Sequence, residues 1–169
     1  ISDCLVGSEM CIRDSNSNNY IVERIEYESH DGRLVPLTIT RNKKTKIDGS
    51  ANLLLYGYGS YGNSMSPGFS STRLSLIDRD IIWATAHIRG GMEKGMKWWK
   101  EGKLMNKKNT FEDFIFAAKY LIEKKYTSQG KIIGMGGSAG GLLMGAVVNQ
   151  SPNLFLGIIM AVPFVDSLT

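Results

Sequence analysis

Cysteine is nearly absent from this sequence. The only two, Cys4 and Cys11, lie within the first fifteen residues of a 169-residue chain. The rest of the chain therefore holds neither a disulfide framework nor a cysteine-based metal site. Long apolar runs are missing as well. The longest, residues 154–165, falls short of the ~20 residues that a membrane helix needs. No basic-then-apolar leader opens the chain, so nothing marks it for secretion or membrane insertion, and a cytoplasmic location is expected. Internal repeats and low-complexity tracts are also absent. What remains is ordinary globular composition, 43% hydrophobic and 21% charged, in a length that suits about one domain and excludes wholesale disorder.

Charge of one sign is weak too, with a net +4. Much of the excess sits in Lys94, Lys97, Lys100, Lys103, Lys107 and Lys108, beside Trp98 and Trp99. Basic groups interleaved with aromatics suit nucleic acid, but +4 over the whole chain is a faint footprint. A solvated lysine-rich surface over packed aromatics is the expectation, with no nucleic-acid partner. Residues 1–15 differ in texture from the remainder of the chain. They resemble a translated sequencing-adapter peptide, so the natural sequence is expected to start near Asn16, and any Cys4–Cys11 pairing is discounted.

Residues 20–40 read as two strands around a His30-Asp31-Gly32-Arg33 turn. Residues 51–56 and 81–87 read as short buried strands. The first is interrupted at once by Gly57, Gly59 and Gly62, which puts Tyr58 and Tyr61 on a loop at a strand end. Apolar residues at Phe111, Phe114, Ile115, Ala118, Leu121 and Ile122 form one stripe and predict a helix over 110–125. In that helix Thr110 and Asp113 resemble a capping box. A strand over 131–135, a small-residue helix ending before Pro152 and a last apolar strand over 154–165 complete the order. The sum is an α/β fold with a mostly parallel sheet and helices on its faces.

The stretch Gly136-Gly137-Ser138-Ala139-Gly140-Gly141 places G-x-S-x-G between a predicted strand and a predicted helix, the setting of a nucleophile elbow. A strand that turns directly into a helix forces the serine into a strained backbone, and only very small neighbours fit. The Ser138 hydroxyl then projects at the carboxyl edge of the sheet, where the Ala139 amide and the helix N-terminus face a developing oxyanion. Two other readings remain. Gly134, Gly136 and Ala139 also fit a G-x-G-x-x-A dinucleotide fingerprint, although Asp166, the only acid downstream, lies beyond the required spacing of about 20 residues. Alternatively, the glycines serve only close helix–sheet packing.

From about Tyr20 onward the chain resembles the catalytic domain of the prolyl oligopeptidase family of serine peptidases, and within it the oligopeptidase B type. The likeness rests on several words in order: Leu55-Tyr56-Gly57-Tyr58-Gly59-Ser60-Tyr61-Gly62, His87-Ile88-Arg89-Gly90-Gly91, Lys107-Lys108-Asn109-Thr110-Phe111, the elbow itself and Val162-Pro163-Phe164-Val165-Asp166. Prolyl enzymes proper usually carry Asn after the nucleophile, whereas Ala139 matches oligopeptidase B. The resemblance implies an α/β-hydrolase fold, ending here after the strand that follows the nucleophile helix. It implies Ser138 as nucleophile, with the Ala139 N–H and the Tyr58 hydroxyl as the two oxyanion donors. Tyr61 would stand at the wall of the pocket for the residue before the scissile bond. The Arg89-Gly90-Gly91 turn would brace the loop nearby. No cofactor or metal is implied.

In this fold the acid and then the histidine follow the serine. No histidine follows Ser138, and Asp166 reads as a strand-end hydrogen-bonding residue. His30 and His87 read as structural. Residues 16–169 are accordingly expected to be the first part of a hydrolase domain, without its triad acid and base and without the family's β-propeller, and inactive alone. Short peptides cut after Arg or Lys are the substrates the resemblance implies. Prolyl-specific, acyl-peptidase, esterase and non-catalytic relatives share the fold and stay as alternatives. Ser66 and Gly68 stand where many relatives carry carboxylates, which weakens the case for a second basic residue in the substrate.

Overall fold

The computed structural model describes residues 16–66 and 68–166. The expected foreign leader, with Cys4 and Cys11, lies outside the described residues. Strands β1 (Tyr20–Glu28) and β2 (Leu34–Asn42) pair antiparallel around the expected turn. β3 (Leu53–Tyr56), β4 (Ile82–Ala86), β5 (Ile132–Gly137) and β6 (Phe155–Ala161) extend them into one six-stranded sheet. Its spatial order is β1-β2-β4-β3-β5-β6. The pairs β4–β3, β3–β5 and β5–β6 are parallel, while β2–β4 and the hairpin are antiparallel. The mostly parallel α/β sheet is therefore present, with a hairpin sewn onto one edge.

Helices α1 (Ser71–Ile77), α2 (Met96–Lys100), α3 (Lys107–Glu123) and α4 (Ala139–Gln150) connect the strands. Alternation along the strands sends Leu53, Leu55, Ile82, Ala84 and Ala86 to one face, where they meet Phe114, Ala118 and Leu121 of α3 and Leu143, Met144 and Val147 of α4. Phe114 stacks on Phe155 of β6 at 6.2 Å. Burying each such large side chain contributes about 1.5–3 kcal/mol. The other face carries Tyr56 and Trp83, stacked at 6.2 Å, and the Arg73 guanidinium of α1 lies 5.0 Å from the Trp83 ring centre. Helices thus cover both faces. Among the described residues no helix is long and apolar enough to cross a membrane.

Several local expectations are corrected. The helix predicted over 110–125 begins at Lys107, and Thr110 and Asp113 are buried inside it rather than capping it. The Thr110 hydroxyl donates to the carbonyls of Arg89 (2.8 Å) and Gly102 (3.2 Å), and Asp113 receives Arg89. Tertiary partners have claimed both groups, and the chain before them is free to coil. α1 and α2 escape the sequence reading because seven and five residues are too short to display a helical period. β6 stops at Ala161 because Val162 adopts φ 42°, which bends the chain back.

Arg89 is among the largest fully buried side chains of the described residues. Its Nε and one terminal nitrogen bond both oxygens of Asp113 at 2.9 and 2.6 Å, and its terminal nitrogens reach both oxygens of Asp31 at 2.6 and 3.1 Å. Ser29 Oγ donates to Asp113 at 2.6 Å, and Tyr27 donates to the Asp113 carbonyl at 2.7 Å. Burial disfavours the guanidinium charge, yet the hydrogen bonds and charges of the two carboxylates raise its pKa above the ordinary value. Removing one partner leaves the other charge buried and uncompensated. Asp113→Ala is therefore expected to cost about 3–5 kcal/mol, read by urea denaturation of the full-length protein.

Candidate active site

β5 runs through Gly137 and α4 begins at Ala139, so Ser138 alone makes the turn between them. It adopts φ 53°, ψ −117°, a region sparsely populated by residues with a side chain and costing about 1–3 kcal/mol. Three backbone hydrogen bonds hold it there. The Ser138 N–H donates to Ala161 at 2.9 Å, and its carbonyl accepts from Gly141 at 2.8 Å and Phe164 at 2.9 Å. At about 0.5–1.5 kcal/mol each, they offset the strain. A side chain on Gly136 would collide with the Gly140 backbone, so strand and helix approach this closely only because position 136 is glycine. The Ser138 side chain is exposed.

Ala139 occupies the first position of α4, where an α-helix leaves its N–H groups without intrahelical acceptors and carries a partial positive charge. Gly134, by contrast, sits inside β5 between Leu55 and Ile158. No turn occurs there, which removes the dinucleotide reading: its first glycine would have to start the loop.

The Tyr58 loop is registered against the same turn. The Gly57 N–H donates to Met135 of β5 at 3.1 Å, extending the β3–β5 ladder by one bond. A Cβ on Gly140 would stand 3.0 Å from the Gly57 carbonyl oxygen and 3.4 Å from Cδ2 of Tyr58. The first turn of α4 therefore lies directly on the Tyr58 backbone and ring. Gly59 follows at φ 65°, pressed against Thr110 and Ile88 where no side chain fits. Tyr61, also at positive φ (58°), is 76% exposed and lines a groove of about 400 Å³ together with Ala139. Ser138 and Ala139 from one segment and Tyr58 and Tyr61 from another, distant in sequence, are gathered at the carboxyl ends of β3 and β5.

The sequence reading missed Lys107, Trp99, Leu142 and Phe164, which line the same groove. Only Lys107 and Phe164 carried a signal, since both lie in the motif words, yet nothing local shows where their side chains end. The lysine-rich stretch is dispersed by the fold. Lys94 donates to the Leu34 carbonyl and pairs with Glu26, Lys103 lies 3.6 Å over the Trp99 ring, and Trp98 is buried with its Nε1 on the His87 carbonyl. His87 is 1% exposed, its Nε2 engaged by Thr38 at 2.8 Å and Arg24 at 3.2 Å, with Glu93 3.6 Å from Nδ1. His30 packs beside Phe116. Asp166 is exposed, two residues past the Phe164 contact with Ser138. Among the described residues no cluster of His, Cys, Asp or Glu groups could hold a metal ion.

A six-stranded, mostly parallel sheet with a strained serine between a strand and the helix it feeds defines the α/β-hydrolase class. Comparison with known proteins narrows this: residues 67–169 match the model of the prolyl oligopeptidase family, and the chain belongs to that family. It is 48% identical to dipeptidyl aminopeptidase BI of Pseudoxanthomonas mexicana, covering 91% of this chain and 21% of that protein. Protease 2 of Moraxella lacunata is 43% identical over 96% of this chain and 24% of its own length. The structure of oligopeptidase B from Leishmania major superposes with a TM-score of 0.88 at 45% identity, over 91% of this chain and 22% of that one. The chain thus spans about a quarter or less of the length of these relatives.

The close approach at the elbow is directly testable. Gly136→Ala must push α4 off β5, and we expect a stability loss of about 1–3 kcal/mol in urea denaturation. Labelling of Ser138 by a fluorophosphonate should fall with it.

Proposed function

We propose that this chain supplies the nucleophile and the oxyanion site of a serine peptidase that cleaves short peptides. The observation that carries this is the backbone of Ser138, held at φ 53° by three hydrogen bonds with the free end of α4 and the Tyr58 loop packed beside it. In this reading Ser138 Oγ attacks the scissile carbonyl carbon and forms the C–O bond. The carbonyl oxygen becomes an oxyanion between the Ala139 N–H and the Tyr58 O–H, both uncharged donors fixed in advance. A general base takes the serine proton and delivers it to the departing amine. Water then attacks the acyl-enzyme by the same route and restores the serine. The base and its acid partner are supplied outside residues 16–166, because both histidines of this chain are engaged elsewhere.

Cleavage after Arg or Lys is the specificity that likeness to oligopeptidase B supports. The higher identity to a dipeptidyl aminopeptidase favours a second reading, in which the same chemistry is directed to peptide N-termini. Matched arginyl substrates with free and acetylated N-termini separate the two, since only the first reading keeps turnover on the blocked peptide.

In the full-length protein, Ser138→Ala should abolish both fluorophosphonate labelling and peptide turnover. Tyr58→Phe removes one oxyanion donor, and kcat should fall by about 10²–10³ with KM little changed. Retention of turnover in Ser138→Ala would defeat the assignment.

A further inference from the structure

Lys107 opens α3, yet its side chain works on the loop opposite. Its Nζ donates to the Gly59 carbonyl at 2.6 Å and to Ser60 Oγ at 2.8 Å. These two acceptors lie immediately after Tyr58 and immediately before Tyr61. The same side chain lines the groove that Ala139 and Tyr61 share. Burial of this ammonium is not compensated by a carboxylate in the groove: the other titratable groups lining it are Tyr61 and Lys103. Lys103 is turned onto Trp99, and along α3 the next charged neighbours are Lys108 and Glu112, which line a separate hollow with Lys119. An amine kept half-buried with one carbonyl and one hydroxyl acceptor, and no counter-ion among the described residues lining the groove, is costly as a structural device, since a neutral residue of similar length would pack there without the charge.

We propose that Lys107 is a positioning residue for the proposed peptidase reaction: its ammonium fixes the Gly59–Ser60 segment, and through it holds the Tyr58 hydroxyl at the elbow. The inference rests on the serine-peptidase reading. Charge-assisted hydrogen bonds are about twice as strong as neutral ones, so the hold is firmest while the amine is protonated.

Burial lowers the pKa of Lys107 to about 8. Stability and loop positioning then respond to pH in opposite directions. A base whose pKa drops on folding carries a charge that folding disfavours, so its penalty is full below about 8. That penalty is relieved as pH rises from there toward the ordinary value of 10.5. Stability therefore gains across this window, while the grip on the Tyr58 loop loosens. A lysine that served stability alone would move both readouts together.

The test uses the full-length protein, a chromogenic arginyl amide, and urea denaturation in parallel. Lys107→Met should lower kcat about 10- to 100-fold, the scale of a lost pair of charge-assisted hydrogen bonds. KM should change less than about twofold, with stability at neutral pH equal to or above the parent's. Lys107→Arg keeps the charge at all accessible pH, and its kcat should no longer decline as pH rises through about 8. Parent-like kcat in Lys107→Met, or the same alkaline decline in Lys107→Arg as in the parent, would overturn the proposal. If Lys107→Met fails to fold, the pH profile of Lys107→Arg decides alone. Ser138→Ala separates the two levels. An active parent silenced by Ser138→Ala but indifferent to Lys107 removes only this inference, whereas a parent without Ser138-dependent turnover removes the peptidase reading and this inference with it.

Discussion

The buried fork of Arg89 between Asp113 and Asp31 is the interaction on which the rest of the arrangement depends. It joins the end of β4, the middle of α3 and the β1–β2 turn, three parts of the chain with no local reason to meet. Only a planar guanidinium can present parallel donors to one carboxylate through its inner edge and to another through its outer one, so lysine is not an equivalent here. The ring of Trp98 lies 5.9 Å from the same guanidinium, and its Nε1 caps the His87 carbonyl. A charge buried this completely is tolerated because every face of it is occupied.

With Arg89 fixed, the turn it opens is fixed as well. The Arg89 carbonyl accepts from Thr110, the Gly90 carbonyl accepts from the Gly62 N–H at 2.9 Å, and the Gly90 N–H donates to Trp98 at 3.2 Å. A side chain at Gly90 would collide with the Gly59 backbone. The loop carrying Tyr58 and Tyr61 therefore rests on the Arg89–Gly91 turn from below, while α4 presses on it from the side. The elbow is secured independently, by β6 and by the bend at Val162 that brings Phe164 to the Ser138 carbonyl. Ser138 and the Tyr58 loop are thus held by separate supports that converge on one point, which on the proposed peptidase reading is the condition for donors fixed before charge develops.

Much of this was legible in the sequence, for identifiable reasons. Strands β3 to β6 announce themselves as short apolar runs, the first three closed by nearby glycines, and α3 by a single stripe from Phe111 to Ile122. The elbow shows because its geometry restricts residue type: only very small residues surround Ser138. What stayed hidden depends on where long side chains end. Thr110 and Asp113 imitate a helix cap because the local pattern is the same whether their oxygens turn to the helix or to Arg89. Lys107 reads as one lysine in a solvated row, and nothing in the row marks it as the one that reaches Gly59. The short helices α1 and α2 lack the length over which a period could appear. The role proposed for Tyr58 rests on the family likeness, since a tyrosine at a strand end most simply packs on the core.

The electrostatics of the groove bear on substrate choice. Its described lining contains Lys103 and Lys107 and no carboxylate. Positive charge lining this groove works against an arginyl or lysyl side chain settling in the same space. Two like charges about 4 Å apart repel by about 4 kcal/mol at the effective dielectric of a protein surface, more than the groove's aromatic walls would return through cation–π contact. Lys103 already occupies the face of Trp99, the best such partner in the groove. If cleavage follows Arg or Lys as proposed, the acidic groups that read that side chain come from outside residues 16–166. On the proposed peptidase reading, the described residues serve the reacting carbonyl and leave recognition of positive charge to other parts of the protein.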